Sequence, residues 1–151
     1  RPAPRTRRGG GTMDQVLDRM ELPLSGVEVE LVGSPVGLLH WRLRSAGVSA
    51  DILDHPLDQT PILGWRQGAT PVEGRRPPVP FTVAWGSLLG GRGPLRVVLV
   101  HRRRFRATVR RNLEPMTLGG AFWIAEAEGS FERLVVSDGT IVESRDLRPM
   151  G

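Results

Sequence analysis

Eight arginines fall between positions 92 and 111 (Arg92, Arg96, Arg102, Arg103, Arg104, Arg106, Arg110 and Arg111), and no carboxylate interrupts them. A guanidinium group is planar, always charged and weakly hydrated, and its fork of N–H donors matches the oxygens of a phosphate or carboxylate. Such a run points to holding a polyanion rather than to making or breaking bonds. As a strand, residues 101–111 place Arg102, Arg104, Arg106 and Arg110 on one face and Phe105, Ala107 and Val109 on the other. Alternate strand residues are roughly 6.6 Å apart, close to the repeat of phosphates along a nucleic-acid strand. Four phosphate contacts would give a log–log salt slope of about −3.6. A helix would instead align Phe105, Val109, Leu113 and Met116, but Pro115 weakens its C-terminal end, and the strand is preferred. These arginines have an ordinary alternative fate, pairing with Glu126, Glu128 and Glu132 of the following strands. Three carboxylates cannot neutralise eight guanidinium groups, so positive potential should survive.

The rest of the chemical inventory excludes more than it offers. The chain has no lysine, which removes the phosphate-loop, Schiff-base and kinase lysines together. It has no cysteine, hence no thiolate nucleophile, cysteine zinc site or disulfide. Gly90-Gly91-Arg92-Gly93 reads as a turn rather than an anion cradle, because no helix signal follows. Asp51, Asp54, His55 and Asp58 form the one acidic cluster with metal-like spacing, but Pro56 interrupts any helix that would gather them. The expectation is a solvated loop with no metal and no cofactor. Glu126 and Glu128 could serve a glycosidase only at a separation the sequence does not give.

The formal charge of +5 is unevenly placed. Residues 1–11, RPAPRTRRGGG, hold Arg1, Arg5, Arg7 and Arg8 without an acid, and the remaining residues carry seventeen arginines against sixteen acids. The N-terminal stretch reads as a flexible basic arm, with Arg5, Arg7 and Arg8 as secondary contacts. The exclusive use of arginine is read mainly as codon bias. No apolar run approaches the roughly 20 residues that span a bilayer, so the expectation is a cytoplasmic protein without membrane contact.

These residues must be positioned by short elements. Glycine and proline supply 32 of 151 residues, about 21%, below the roughly 25–30% that marks disorder and indicative of many turns. Thr12 and Gln15 have capping-box spacing, and Met13, Val16, Leu17 and Met20 line one face of a short helix that Pro23 ends. From residue 26 the period becomes two. Val27, Val29 and Leu31, then Leu39, Trp41 and Leu43, flank Gly33-Ser34-Pro35-Val36-Gly37 as a hairpin. Residues 45–80 read mostly as loop, with a strand at 48–53 and one helical turn. Further strands follow at 81–85, 95–100 and 121–127, and Asp138-Gly139 predicts a two-residue hairpin turn between 134–137 and 140–143.

Residues 12–151 thus read as a single mainly β domain, a small barrel or sandwich of about eight short antiparallel strands with one N-terminal helix. The expected function is a non-enzymatic module contacting a DNA or RNA backbone, independent of sequence, through Arg96, Arg102, Arg103, Arg104, Arg106, Arg110 and Arg111. Base readout has no support, since no zinc-finger, RNP or helix-turn-helix pattern is present. Trp41, Trp65, Trp85, Trp123 and Phe105 would help by stacking only where exposed. The alternative is a structural subunit of a larger assembly, gripping acidic protein neighbours with the same groups. A third reading, an enzyme, would be built on Asp51–Asp58.

Overall fold

Residues 79–87 and 122–128 are apolar or small at nearly every position, and strands of that composition are stable only when covered on both faces. The computed structural model describes residues 14–44, 52–88, 94–102, 108–139 and 142–147, without the side chains of 52–54. It places those two segments at the centre of a stack. Among the described residues there are twelve strands and no helix: β1 (Gln15–Glu21), β2 (Glu28–Gly33), β3 (Leu39–Arg44), β4 (Ile52–Pro56), β5 (Gly64–Thr70), β6 (Val79–Ser87), β7 (Arg96–His101), β8 (Val109–Leu113), β9 (Met116–Leu118), β10 (Phe122–Glu128), β11 (Arg133–Ser137) and β12 (Val142–Asp146). They form three four-stranded antiparallel sheets in the orders β1-β2-β3-β4, β5-β6-β10-β9 and β12-β11-β7-β8.

Two cores share the middle sheet. On one face Phe81, Val83, Trp85, Phe122 and Ile124 meet Val29, Leu31, Trp41 and Leu43 of the first sheet. On the other, Ala84, Trp123, Ala125 and Ala127 meet Val97, Leu99, Leu134 and Val136 of the third. The division follows side-chain size: the bulkier residues of β6 and β10 alternate onto the first face, and the second is mostly small, with Trp123 filling the space. Each such aliphatic or Phe side chain, fully buried, contributes about 1.5–3 kcal/mol. Two of the polar side chains in this layer are tied to backbone carbonyls. Thr82, fully buried, donates to the Gly129 carbonyl at 2.9 Å, and the Trp123 indole N–H donates to the Pro61 carbonyl at 2.9 Å.

The mainly β, antiparallel reading holds, but the sheets do not close into a barrel, and twelve strands replace the eight expected. The predicted N-terminal helix is a strand. Asp18, Met20 and Leu22 carry a two-residue period that competes with the helical one, and β1 pairs with β2 along one side from Gln15↔Gly33 to Glu21↔Glu28. Val16 and Leu17, the intended helix stripe, are left 40% and 52% exposed beside a bulge. Thr12 and Met13 lie outside the described residues.

The stretch read as mostly loop contains β4 and β5, while its residues 45–51, including most of the strand expected at 48–53, lie outside the described residues. Gly64 and Gly68 make β5 look like a loop in sequence. In the sheet they sit directly opposite Trp85 and Phe81, and a Cβ there would come within 2.7 Å of the Trp85 ring and 3.0 Å of the Phe81 ring. Glycine is present because the facing aromatic occupies its side-chain space.

The hairpin of β2 and β3 forms as expected, with Glu28 opposite Arg44 and Glu30 opposite Arg42. Glu30 faces outward, opposite to Val29 and Leu31 of the core, but it is covered there by its arginine partners. It is 6% exposed and lies between Arg19 at 2.9 Å and Arg42 at 3.5 Å, one residue from each of three strands. In the last hairpin Ser137 pairs with Val142 rather than Thr140. That two-residue displacement keeps every side chain on its intended face. Thr140 and Ile141 themselves are outside the described residues.

Candidate polyanion-binding face

The arginine-rich segment does not form the single strand expected of residues 101–111. β7 ends at His101, the chain reverses, and β8 starts at Val109 and pairs back with Val97↔Leu113 through His101↔Val109. The predicted row of Arg102, Arg104, Arg106 and Arg110 is therefore broken. Arg92, Arg103, Arg104, Phe105 and Arg106 lie outside the described residues, as does the arm with Arg5, Arg7 and Arg8.

What replaces the row is the outer face of the third sheet. Val97 and Leu99 of β7 and Leu134 and Val136 of β11 point into the core, so their neighbours Arg96, Val98, Val100, Arg133, Val135 and Ser137 point away from it. Antiparallel partners share a face. Arg110 stands opposite Val100, Val100 opposite Arg133, and Arg133 opposite Asp146, which makes one transverse line across four strands. Neighbouring strands are about 4.8 Å apart, so Arg110 and Arg133 start about 10 Å from each other. Arg96 stands on the same face, opposite Ser137, and Arg102 directly follows β7. Arg133 was missed in the sequence. The alternation Arg133, Leu134, Val135, Val136 could have found it, because it fixes which side Arg133 takes once β11 is paired.

Two of the three acids expected to neutralise this run, Glu126 and Glu128, are engaged elsewhere. Glu126 projects from the other face of the middle sheet, where its two oxygens accept the backbone N–H groups of Leu24 at 2.6 Å and Ser25 at 2.9 Å. Glu128 pairs with Arg75 at 2.9 Å. Glu132 lies beside Arg102, Arg133 and Asp146 around a shallow depression of about 190 Å³, with no ion pair between it and Arg102. Arg133 meets Asp146 at 3.7 Å. Among the described residues no carboxylate pairs with Arg96, Arg102 or Arg110, and all three are exposed. Arg111 alternates to the inner side of β8, where it donates to the Glu128 carbonyl at 3.1 Å. It ties a sheet edge rather than facing a ligand.

Trp41, Trp85 and Trp123 are buried and Trp65 is packed against the second core, so among the described residues these tryptophans offer no open stacking platform. Of the acidic cluster, His55 and Asp58 rim one separate cleft with Trp41 and Trp85, Asp51 and the side chain of Asp54 lie outside what the structure describes, and no group of three metal-ligating side chains occurs among the described residues. Among the described residues no helix is long and apolar enough to cross a membrane. No protein family, curated protein or solved structure matches this chain.

Proposed function

We propose that the outer face of the third sheet holds the phosphates of a DNA or RNA backbone, without base readout and without catalysis. The observation that carries this reading is the set Arg96, Arg102 and Arg110, exposed on the flank of one sheet while Glu126 and Glu128 serve other partners. A guanidinium left without an internal carboxylate exchanges condensed counterions for contact with a polyanion, and that exchange appears as salt dependence. Three phosphate contacts correspond to a log–log slope of about −2.7 on duplex DNA, and contributions from the arm would steepen it. The test is a titration with a short DNA duplex and with single-stranded RNA over a range of salt, on the parent and on a variant carrying Arg96→Gln, Arg102→Gln and Arg110→Gln. A flat slope in the parent, or an unchanged slope in the variant, overturns the reading.

A second reading, a subunit of a protein assembly, is favoured by one observation. Leu17 lies over Gly33 beside the turn that carries Val36 and Leu38, and the three are 52%, 79% and 61% exposed. Sedimentation at micromolar concentration tests it, and a strict monomer without a co-purifying partner argues against it.

A further inference from the structure

β12 closes the third sheet at one end, in the order β12-β11-β7-β8, and among the described residues no strand pairs with its free side. Its five residues, Val142-Glu143-Ser144-Arg145-Asp146, are fixed in facing by β11. Ser144 stands opposite Val135 and so shares the outer face with Val142 and Asp146, while Glu143 and Arg145, opposite Val136 and Leu134, stand on the inner side. All but Glu143 are exposed. An uncovered edge offers its spare N–H and C=O groups to any extended chain, and proteins commonly guard such an edge with charge.

The guard on β12 is a matched pair. Arg145 Nη2 donates to Glu143 Oε1 at 3.2 Å on the inner side, and the two residues lie symmetrically about Ser144. A two-fold axis through Ser144, perpendicular to the sheet, lays a second copy of the strand antiparallel beside the first. Ser144 then faces itself, each Glu143 faces the Arg145 of the other copy, and each Val142 faces an Asp146. Two acids and two guanidinium groups thus alternate around one square, each with a neighbour of opposite sign along the strand and across it. Opposite charges directly across a ladder are favourable, and like charges are not. Moving the axis to Glu143 or Arg145 sets identical charges face to face, so the pattern selects the register centred on Ser144. Other edges lack this property: β8, at the far end of the same sheet, holds Arg110 and Arg111 with no acid, and β1 is interrupted by a bulge.

We propose that the chain associates with a second copy of itself by pairing β12 with β12, which joins two third sheets into one of eight strands. A two-fold contact of this kind must be self-complementary. A different extended chain would have to bring the same order of acid and base two residues apart, which this chain supplies in itself. The axis keeps both outer faces on one side, so Arg96, Arg110 and Arg133 of the two copies share one surface, although association does not depend on that surface binding a polyanion. A contact between two short strands buries less than the roughly 1,200 Å² of stable complexes. A dissociation constant of roughly 10–100 µM is expected.

The experiment is sedimentation of the full chain over about 1–300 µM, a range that brackets the expected constant. Glu143→Arg and Arg145→Glu each leave only like charges in the square, and each is expected to weaken association at least about tenfold. An equimolar mixture of these two variants restores opposite charges across the ladder, as does the doubly reversed chain, and both should associate like the parent. A second test leaves the charges alone. The chain has no cysteine, so Ser144→Cys supplies a single thiol that faces its copy with Cα atoms roughly 5 Å apart, within disulfide reach. It should oxidise to a covalent dimer, whereas Val142→Cys, more than about 13 Å from its copy, should not. A parent that stays monomeric across the range, association unchanged in both single reversals, reversals that fail to rescue each other, or equal cross-linking at positions 142 and 144 overturns the proposal. Unchanged association would assign the contact to the patch of Leu17, Val36 and Leu38 instead. The polyanion titration is a separate measurement on other residues, so either result can fail without the other.

Discussion

Replacing Gly86 by alanine should remove a large share of the stability. A Cβ built at Gly86 lands on the Pro61 carbonyl oxygen and lies 2.5 Å from Trp123 Nε1, which is to say inside the one hydrogen bond that anchors the Trp123 indole. Backbone on one side and a fully buried tryptophan on the other leave nothing flexible to yield. Breaking that bond with both groups buried costs about 1–3 kcal/mol, and forcing extra volume into a packed core adds about 1–3 kcal/mol. A loss of about 3–4 kcal/mol is expected, against a total of roughly 5–15 kcal/mol for a domain. With a urea m-value of about 2 kcal/mol/M, the midpoint falls by about 1.5–2 M at unchanged slope. Gly37→Ala is the control. Its φ of +85° sits in the left-handed region with nothing within 4 Å of the added carbon, so only backbone strain of about 1–2 kcal/mol applies. The reasoning is refuted if Gly86→Ala lies within about 1 kcal/mol of the parent, or is no worse than Gly37→Ala in the same titration.

Glu126→Ala should cost about 3–4 kcal/mol in urea unfolding, because two bonds to a charged acceptor are worth about 1.5–3 kcal/mol each and Ser25 is too buried for water to replace its share. Glu126→Gln, retaining one acceptor oxygen, should lose about half as much. In the Arg19–Glu30–Arg42 line, Arg19→Ala should cost about 0.5 kcal/mol or less, since Arg19 is 62% exposed, while Glu30→Ala should cost about 1–2 kcal/mol by leaving two cations facing each other. Equal losses at Arg19 and Glu30, measured by the same unfolding curves, would contradict the burial of Glu30.

How much of this was legible in the sequence depended on whether local signals agreed with the tertiary setting. The β2–β3 hairpin was readable because apolar alternation and the Gly33–Gly37 turn point the same way. β1 was not, since Met13, Val16, Leu17 and Met20 satisfy a helical period while Asp18, Met20 and Leu22 satisfy a strand, and only the backbone edge of β2 decides between them. The reversal between β7 and β8 was hidden because residues 102–108 contain no Gly, Pro, Asn or Asp to mark it. β5 was hidden for the opposite reason, its glycines resembling loop punctuation until Trp85 and Phe81 are placed across from them. The arginines were legible as charge, but not as a face. Which of them lie together depends on pairings across β7, β8 and β11, and Arg133 joined them only through that register.

The middle sheet belongs to both cores, which makes it the thermodynamic hub of the molecule. Fraying of an outer layer can remain local, whereas opening β6 or β10 strips support from both neighbours at once, so amide protons there should exchange only through global unfolding. Selection is thereby free to remodel the two external layers separately, each from its own side, while the layer between them stays nearly frozen.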